Sequence, residues 1–190
     1  GSRGMAGAIS LAGLAALRSG AGTATLGVAD KCLETVASFE PAYMTAPLAC
    51  DTEGRLVVAA KDALAVLADR ATCIGCGPGL GRSPQITGLI TWMYQVLPQP
   101  MVFDADALHA LAEKSDVLNE PGGIRILTPH MGEFQALLNV HDLPREELEL
   151  QAGLMAASHN NIIICLKGHR TLITDGHQAT HNLTGNPGMA

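Results

Sequence analysis

With 190 residues, 47% of them hydrophobic and 16% charged, the chain has the size and composition of one ordinary globular domain. A formal net charge of -6, with no cluster of Lys and Arg and no series of stacking aromatics, excludes a nucleic-acid partner. No apolar run reaches the roughly 18 residues that span a bilayer, and the first residues lack the charged-then-apolar order of a secretory leader. A cytoplasmic protein with no membrane partner is expected.

In chain order, a glycine-rich opening leads into a helix over residues 8–18 with apolar positions at helical spacing. The small residues Ser19 to Gly22 end it, and a short strand follows over 24–28. Residues 39–54 hold two prolines and little periodicity and read as an irregular excursion. A strand is expected over 56–58, a helix over 62–69 and a buried strand over 72–76. The helix ending at Val96 starts with Ser83 as its cap and Pro84 at its first position.

The β-then-α order repeats as a strand over 101–103 with a helix over 106–114, then a strand over 125–127 with a helix over 131–139. A helix over 145–158 and a strand over 162–166 complete the series. Fully apolar strands alternating with helices imply a mostly parallel sheet covered on both faces, an α/β class. Near the end the period changes to a hairpin, 171–174 and 177–182, around Asp175-Gly176, a pair that favours a two-residue type I′ turn.

The five cysteines, Cys32, Cys50, Cys73, Cys76 and Cys165, are odd in number and scattered, which is not the framework of a small secreted fold. Cys73 and Cys76 form a C-x-x-C, but no second pair completes four ligands. Both are read as buried structural thiols, and no metal ligands are assigned.

Ligands of an open parallel sheet bind outside the carboxyl ends of its strands, and four loops there stand out. Three glycines in Gly77-Pro78-Gly79-Leu80-Gly81 bring bare backbone N–H groups within reach of a ligand. In Asp104-Ala105-Asp106, Asp106 is placed to cap its helix, while Asp104 is free to face water, a metal-bound phosphate or a substrate. Thr128-Pro129-His130-Met131-Gly132-Glu133 projects an imidazole from a Pro-fixed turn, with Glu133 at the helix start. Lys167-Gly168-His169-Arg170-Thr171 sets a cation beside exposed backbone, which suits a nucleotide phosphate.

These blocks, taken with Gly1-Ser2-Arg3-Gly4-Met5-Ala6-Gly7-Ala8 and Asn182-Leu183-Thr184-Gly185-Asn186-Pro187-Gly188-Met189-Ala190, resemble in order and spacing the signature set of the NAD(P)H-hydrate dehydratase family. The resemblance spans the whole chain and implies a ribokinase-like three-layer sandwich, with a mostly parallel sheet and helices on both faces. The activity it implies is dehydration of the S-form of hydrated NADH or NADPH (NADHX, NADPHX) at the expense of ADP or ATP, in a homotetramer, with Mg²⁺ on the nucleotide. It assigns Ala8, Gly79 and His130 to the hydrated dinucleotide, with Asp104 on that side. Lys167, Gly168, His169, Arg170 and Thr171, with Asn186, fall to the adenine nucleotide.

The chain departs from the family pattern at His109, where Asn is usual, and at Met131, where Pro is usual. The pattern continues past Ala190 with a Thr-Gly-Gly-Ser-Gly-Asp segment that carries a glycine nest and the aspartate base, and it has a strand ahead of Gly1. The 190 residues are therefore expected to be one domain incomplete at both ends, inactive and poorly stable as an isolated piece. Two alternatives stand beside this one: a small-molecule kinase of the same superfold, and a catalytically silent nucleotide-binding module.

Overall fold

A computed structural model describes residues 1–159 and 161–185. Its elements run α1 (Ala6–Arg18), β1 (Thr25–Ala29), α2 (Leu33–Ala37), β2 (Met44–Leu48), α3 (Lys61–Ala68), β3 (Ile74–Cys76) and α4 (Pro84–Val96). They continue with β4 (Met101–Phe103), α5 (Asp106–Ala112), β5 (Arg125–Leu127), α6 (Met131–Leu138), α7 (Arg145–Ser158), β6 (Ile162–Leu166), β7 (Leu172–Thr174) and β8 (Ala179–His181). β1 and β2 pair in parallel, and β3 to β8 form a six-stranded sheet in chain order. Within it β3 to β6 are parallel, and β7 and β8 turn antiparallel. The α/β class with a mostly parallel sheet is thus as the residue pattern implies.

Chain order explains where the helices sit. Each parallel step from β3 to β6 advances in one direction, and right-handed crossovers then deliver every connecting helix to the same face. Accordingly α4 packs on α5, α5 on α6, and α6 on α7, which lies against β6 and β7. Between these helices and the sheet, Met101, Phe103, Leu127, Ile164 and Leu166 meet Ile86, Ile90, Leu108, Leu111, Phe134 and Leu148, all buried. Burying each such side chain contributes about 1.5–3 kcal/mol. The alternate strand residues point the other way, where Val102 and Ile173 are 37% and 39% exposed and Ile126, Ile163 and Cys165 half-buried.

Arg125, on the buried face, keeps its charge by serving the C-terminus of α4. Its guanidinium donates to the carbonyls of Tyr94, Leu97 and Gln99 and lies over the Tyr94 ring. Those carbonyls have no helical partner, so one side chain satisfies several groups. At the other end of α4, Ser83 accepts from the Ile86 amide and Pro84 occupies the first turn, as the sequence indicates. Gly88 is an exposed helical glycine whose added Cβ would meet only Val58, at 4.0 Å. Gly88→Ala should therefore stabilise the protein by about 0.5–1 kcal/mol through helix propensity. A urea midpoint below that of the parent would contradict this.

Four expectations are corrected. Residues 56–58 do not form a strand: Leu56 makes a single antiparallel bridge to Cys50, and Val58–Ala60 already winds into a 3-10 turn ahead of α3. The good helix formers Ala59, Ala60 and Lys61 take over from the β-branched pair. The stretch 39–54 contains β2, hidden by Pro47 and a lack of alternation; Pro47 is tolerated because β2, among the described residues, is bonded to β1 alone. Asp175-Gly176 do not form a two-residue turn, since Thr174 pairs with Ala179 and four residues make the loop. The Asp175 carboxylate accepts from the His177 and Gln178 amides, which stabilises that longer loop and holds the carboxyl below the usual carboxylate range.

The fourth correction is Cys73, which is exposed. Residues three apart on an extended run face opposite ways, so Cys73 and Cys76 diverge. Cys76 is half-buried, and desolvation pushes its thiol up to about 12. Among the described residues no cluster of three or more His, Cys, Asp and Glu could hold a metal ion, and no helix is long and apolar enough to cross a membrane.

Candidate functional site

Because β3, β4, β5 and β6 are parallel neighbours, the loops that leave their carboxyl ends share one rim. The first sits against the second: the Gly81 amide donates to the Asp106 carboxylate at 2.9 Å, and Arg82 Nε lies 3.5 Å from it. Asp106 therefore does not cap its own helix, as the residue order suggested. The cap position belongs to Ala105, whose φ of 50° and ψ of -121° are sparsely populated for a residue with a Cβ. Such strain costs on the order of 1–3 kcal/mol and collects at functional sites. With the chain turned this way, the carbonyls of Asp104 and Ala105 close the first turn of α5 themselves, and the Asp106 side chain is released to the glycine loop.

Asp104, the residue without a local duty, receives the Lys167 ammonium at 2.6 Å. Glu133 approaches the same ammonium at 3.7 Å. One cation from the β6 loop thus stands between carboxylates from the β4 and β5 loops. The Lys167 amide also donates to the Pro129 carbonyl at 2.8 Å, so backbone as well as side chain ties the third loop to the fourth.

His130 caps α6 in a reciprocal box. Its Nδ1 accepts from the Glu133 amide at 3.1 Å, and the Glu133 carboxylate accepts from the His130 amide at 2.8 Å. A neutral ring that accepts at Nδ1 carries its proton on Nε2, and that nitrogen lies 3.5 Å from the Glu133 carboxylate. Glu133, expected to act on the helix start only, in addition joins His130 to Lys167. His130 and Lys167 thus lie on the same rim, joined through the Glu133 carboxylate.

Ala8 and Gly79, far apart in sequence, also meet. A Cβ added at Gly79 would come 3.1 Å from that of Ala8 and 2.8 Å from the Met5 carbonyl, and the Ser2 amide donates to the Gly79 carbonyl. The N-terminal loop is therefore stacked on the glycine loop. An open hollow of about 200 Å³ lies between the second and third loops, lined by Arg82, Ala105, His109, His130, Glu133 and Ala136. Another of about 280 Å³, between α4 and the end of α5, lies away from the rim. The first of these is bordered by the strained Ala105 and by the His130–Glu133 pair.

In the last loop His169 and Arg170 are exposed, and Arg170 has a positive φ of 58°. Thr171 donates its hydroxyl to the Gly168 carbonyl. Asn186 lies outside the described residues. Two participants were not singled out beforehand. Arg82 brings a cation to the hollow, and Arg145 donates to the carbonyls of Leu166 and Lys167 from behind the β6 loop. A signal for the second existed: an arginine in the first turn of a helix opposes the macrodipole, so it must be recruited by something else.

Comparison with known proteins bears on the family and the fold. A family model described as NAD(P)H-hydrate dehydratase matches residues 1–190. The bifunctional NAD(P)H-hydrate repair enzyme of Moorella thermoacetica is 38% identical over 195 residues, covering all of this chain and 36% of that protein. The chain thus spans about a third of the length of such curated relatives. Among solved structures, the ADP/ATP-dependent NAD(P)H-hydrate dehydratase of Bacillus subtilis, co-crystallised with ATP/Mg²⁺ and soaked with CoA, superposes with a TM-score of 0.71 at 26% identity. It is matched over 98% of this chain and 64% of its own. A ribokinase-like superfamily protein from Enterococcus faecalis superposes with a TM-score of 0.75 at 23% identity, over 98% of this chain and 62% of its own, which supports the fold.

Proposed function

Since its whole length matches the family's model, the chain belongs to the NAD(P)H-hydrate dehydratase family, and on that premise we propose that it forms the nucleotide-and-substrate rim of an enzyme that dehydrates NADHX and NADPHX at the expense of ADP or ATP. The observation that carries this is the Asp104–Lys167–Glu133–His130 chain of contacts, which joins three loops at the strand ends. Lys167 to Thr171 would hold the adenine nucleotide. Ala8, Gly79, Asp104 and His130 would face the hydrated dinucleotide.

In the reaction, the ring hydroxyl gives its proton to a base and its oxygen bonds to the terminal phosphorus as the bond to the leaving nucleotide oxygen breaks. The phosphate ester is then eliminated with loss of a ring proton, which restores the carbon–carbon double bond. Little covalent work falls to the protein, so placement and charge neutralisation supply most of the rate. Lys167 offsets phosphate charge, and the Nε2–H of His130 is a donor that can fix a substrate oxygen or amide. Mg²⁺ would be carried by the nucleotide's own phosphates, since the Asp104 and Glu133 oxygens already face the Lys167 ammonium. When bound there, the ion would neutralise charge on the transferred group.

Incubating the full-length protein with hydrated NADH and either nucleotide tests the proposal. Recovery of NADH absorbance with stoichiometric phosphate release is expected; accumulation of a stable phosphorylated substrate would instead identify a kinase, and binding without turnover a silent module. A homotetramer and a cytoplasmic location go with the family and its substrate. Sedimentation velocity reads the first, and a monomer at assay concentration would overturn it.

A further inference from the structure

Arg145 starts α7 directly after Pro144, where a positive charge gains nothing from the helix and Glu146 and Glu147 are the residues suited to the position. Its side chain turns away from α7's axis toward the end of β6. There Nη2 donates to the Leu166 carbonyl at 3.0 Å, and Nη1 to the Lys167 carbonyl at 2.9 Å. Nε donates to Glu149 at 2.8 Å, and the other oxygen of Glu149 meets His181 of β8 at 3.0 Å. Burial works against ionisation of Glu149, but the bonds from Arg145 and His181 outweigh it and hold the carboxyl below its ordinary range.

The two carbonyls belong to the last residue of β6 and to the lysine itself. Lys167 is consequently gripped on both sides of its peptide unit, its N–H by Pro129 and its C=O by Arg145. Gly168 leaves room for the grip: a Cβ there would stand 2.9 Å from Arg145 Nη1, at a φ of +148° that side chains rarely adopt. A planar fork with fixed donors suits this task, since it spans two successive carbonyls while its third edge is anchored by a carboxylate. An ammonium group could reach one.

We propose that Arg145 is a positioning residue for nucleotide binding, setting the Lys167–Thr171 loop through the carbonyls of Leu166 and Lys167 and itself aligned by Glu149. It does not touch the nucleotide. This rests on the assignment of that loop to ADP or ATP. Misplacement of a binding group by about 1 Å can cost roughly 100-fold, so loss of the grip should be felt mainly in nucleotide affinity and little in the site for the dinucleotide.

The test is titration calorimetry of the full-length protein with ADP and, separately, steady-state kinetics in both substrates. Arg145→Ala is expected to weaken ADP binding about 10-fold to 100-fold and to raise the nucleotide KM in step, while the KM for hydrated NADH moves less than about 2-fold. Arg145→Lys should recover only part of the loss. If Arg145→Ala does not fold, Glu149→Ala decides instead, since it removes the acceptor of Nε but keeps the fork's carbonyl partners; a several-fold loss of ADP affinity is expected. Parent-like ADP affinity in whichever of these folds overturns the role of Arg145 and leaves the nucleotide site standing. A parent protein that binds no ADP or ATP overturns both.

Discussion

Replacing Lys167 with methionine should lower turnover by about 100-fold to 1000-fold while leaving the melting temperature nearly unchanged. The ammonium is the cation that Asp104 and Glu133 share. With it, these three groups sum to one negative charge; without it they sum to two, facing a nucleotide whose phosphates are negative as well. Removing one preorganised group of this kind from a transition state typically costs that much in rate. The effect on stability should be small because the lysine side chain is 40% exposed and the Asp104 side chain 34%. Ion pairs this accessible contribute on the order of 0–1 kcal/mol. Arginine should not substitute fully, since its fork cannot occupy the point between two carboxylates that an ammonium fills. Rate and melting temperature measured on one preparation settle the matter. A variant within about 3-fold of the parent rate would remove Lys167 from the mechanism, and a collapse in melting temperature would make its role structural.

Much of this arrangement is legible from local chemistry. β4, β5, β6 and α7 occupy the spans that apolar runs and helical spacing assign them, because each is bounded by unambiguous signals such as Pro100 before β4 and Gly123 before β5. The four loops could be singled out because strand ends are where an open parallel sheet presents its loops. Partnerships were not legible. Asp104 and Lys167 are 63 residues apart, and only the register of β4, β5 and β6 sets them side by side. Asp106 misled for a related reason: at a helix start a carboxylate ordinarily caps, and nothing local reveals that Gly81 will offer its amide instead. The same holds for β2, whose Pro47 argues against a strand until β1 is known to be its one bonded neighbour among the described residues.

The backbone that makes this rim possible should be least forgiving at Gly77. A Cβ built there would lie 1.7 Å from the Asp104 carbonyl oxygen, 2.7 Å from its carbon and 3.1 Å from the Cβ of Ala107, at a φ of +132°. The first two are backbone atoms of β4's exit, which cannot swing aside as a flexible side chain would. Gly77→Ala must therefore move the glycine loop off the Asp104–Ala105 turn or push that turn away from Lys167. Backbone strain of roughly 1–3 kcal/mol and overpacking of about 1–3 kcal/mol act together, so a loss of about 2–6 kcal/mol in unfolding free energy is expected. That is a large share of the roughly 5–15 kcal/mol by which domains are stable. Gly75→Ala, two residues earlier in β3 and with nothing within 4 Å of its added Cβ, serves as the control and should change stability little. Urea unfolding of the pair reads the difference. Equal midpoints would mean that the β3 and β4 exits do not touch, and the glycine loop would then have no fixed place over the site.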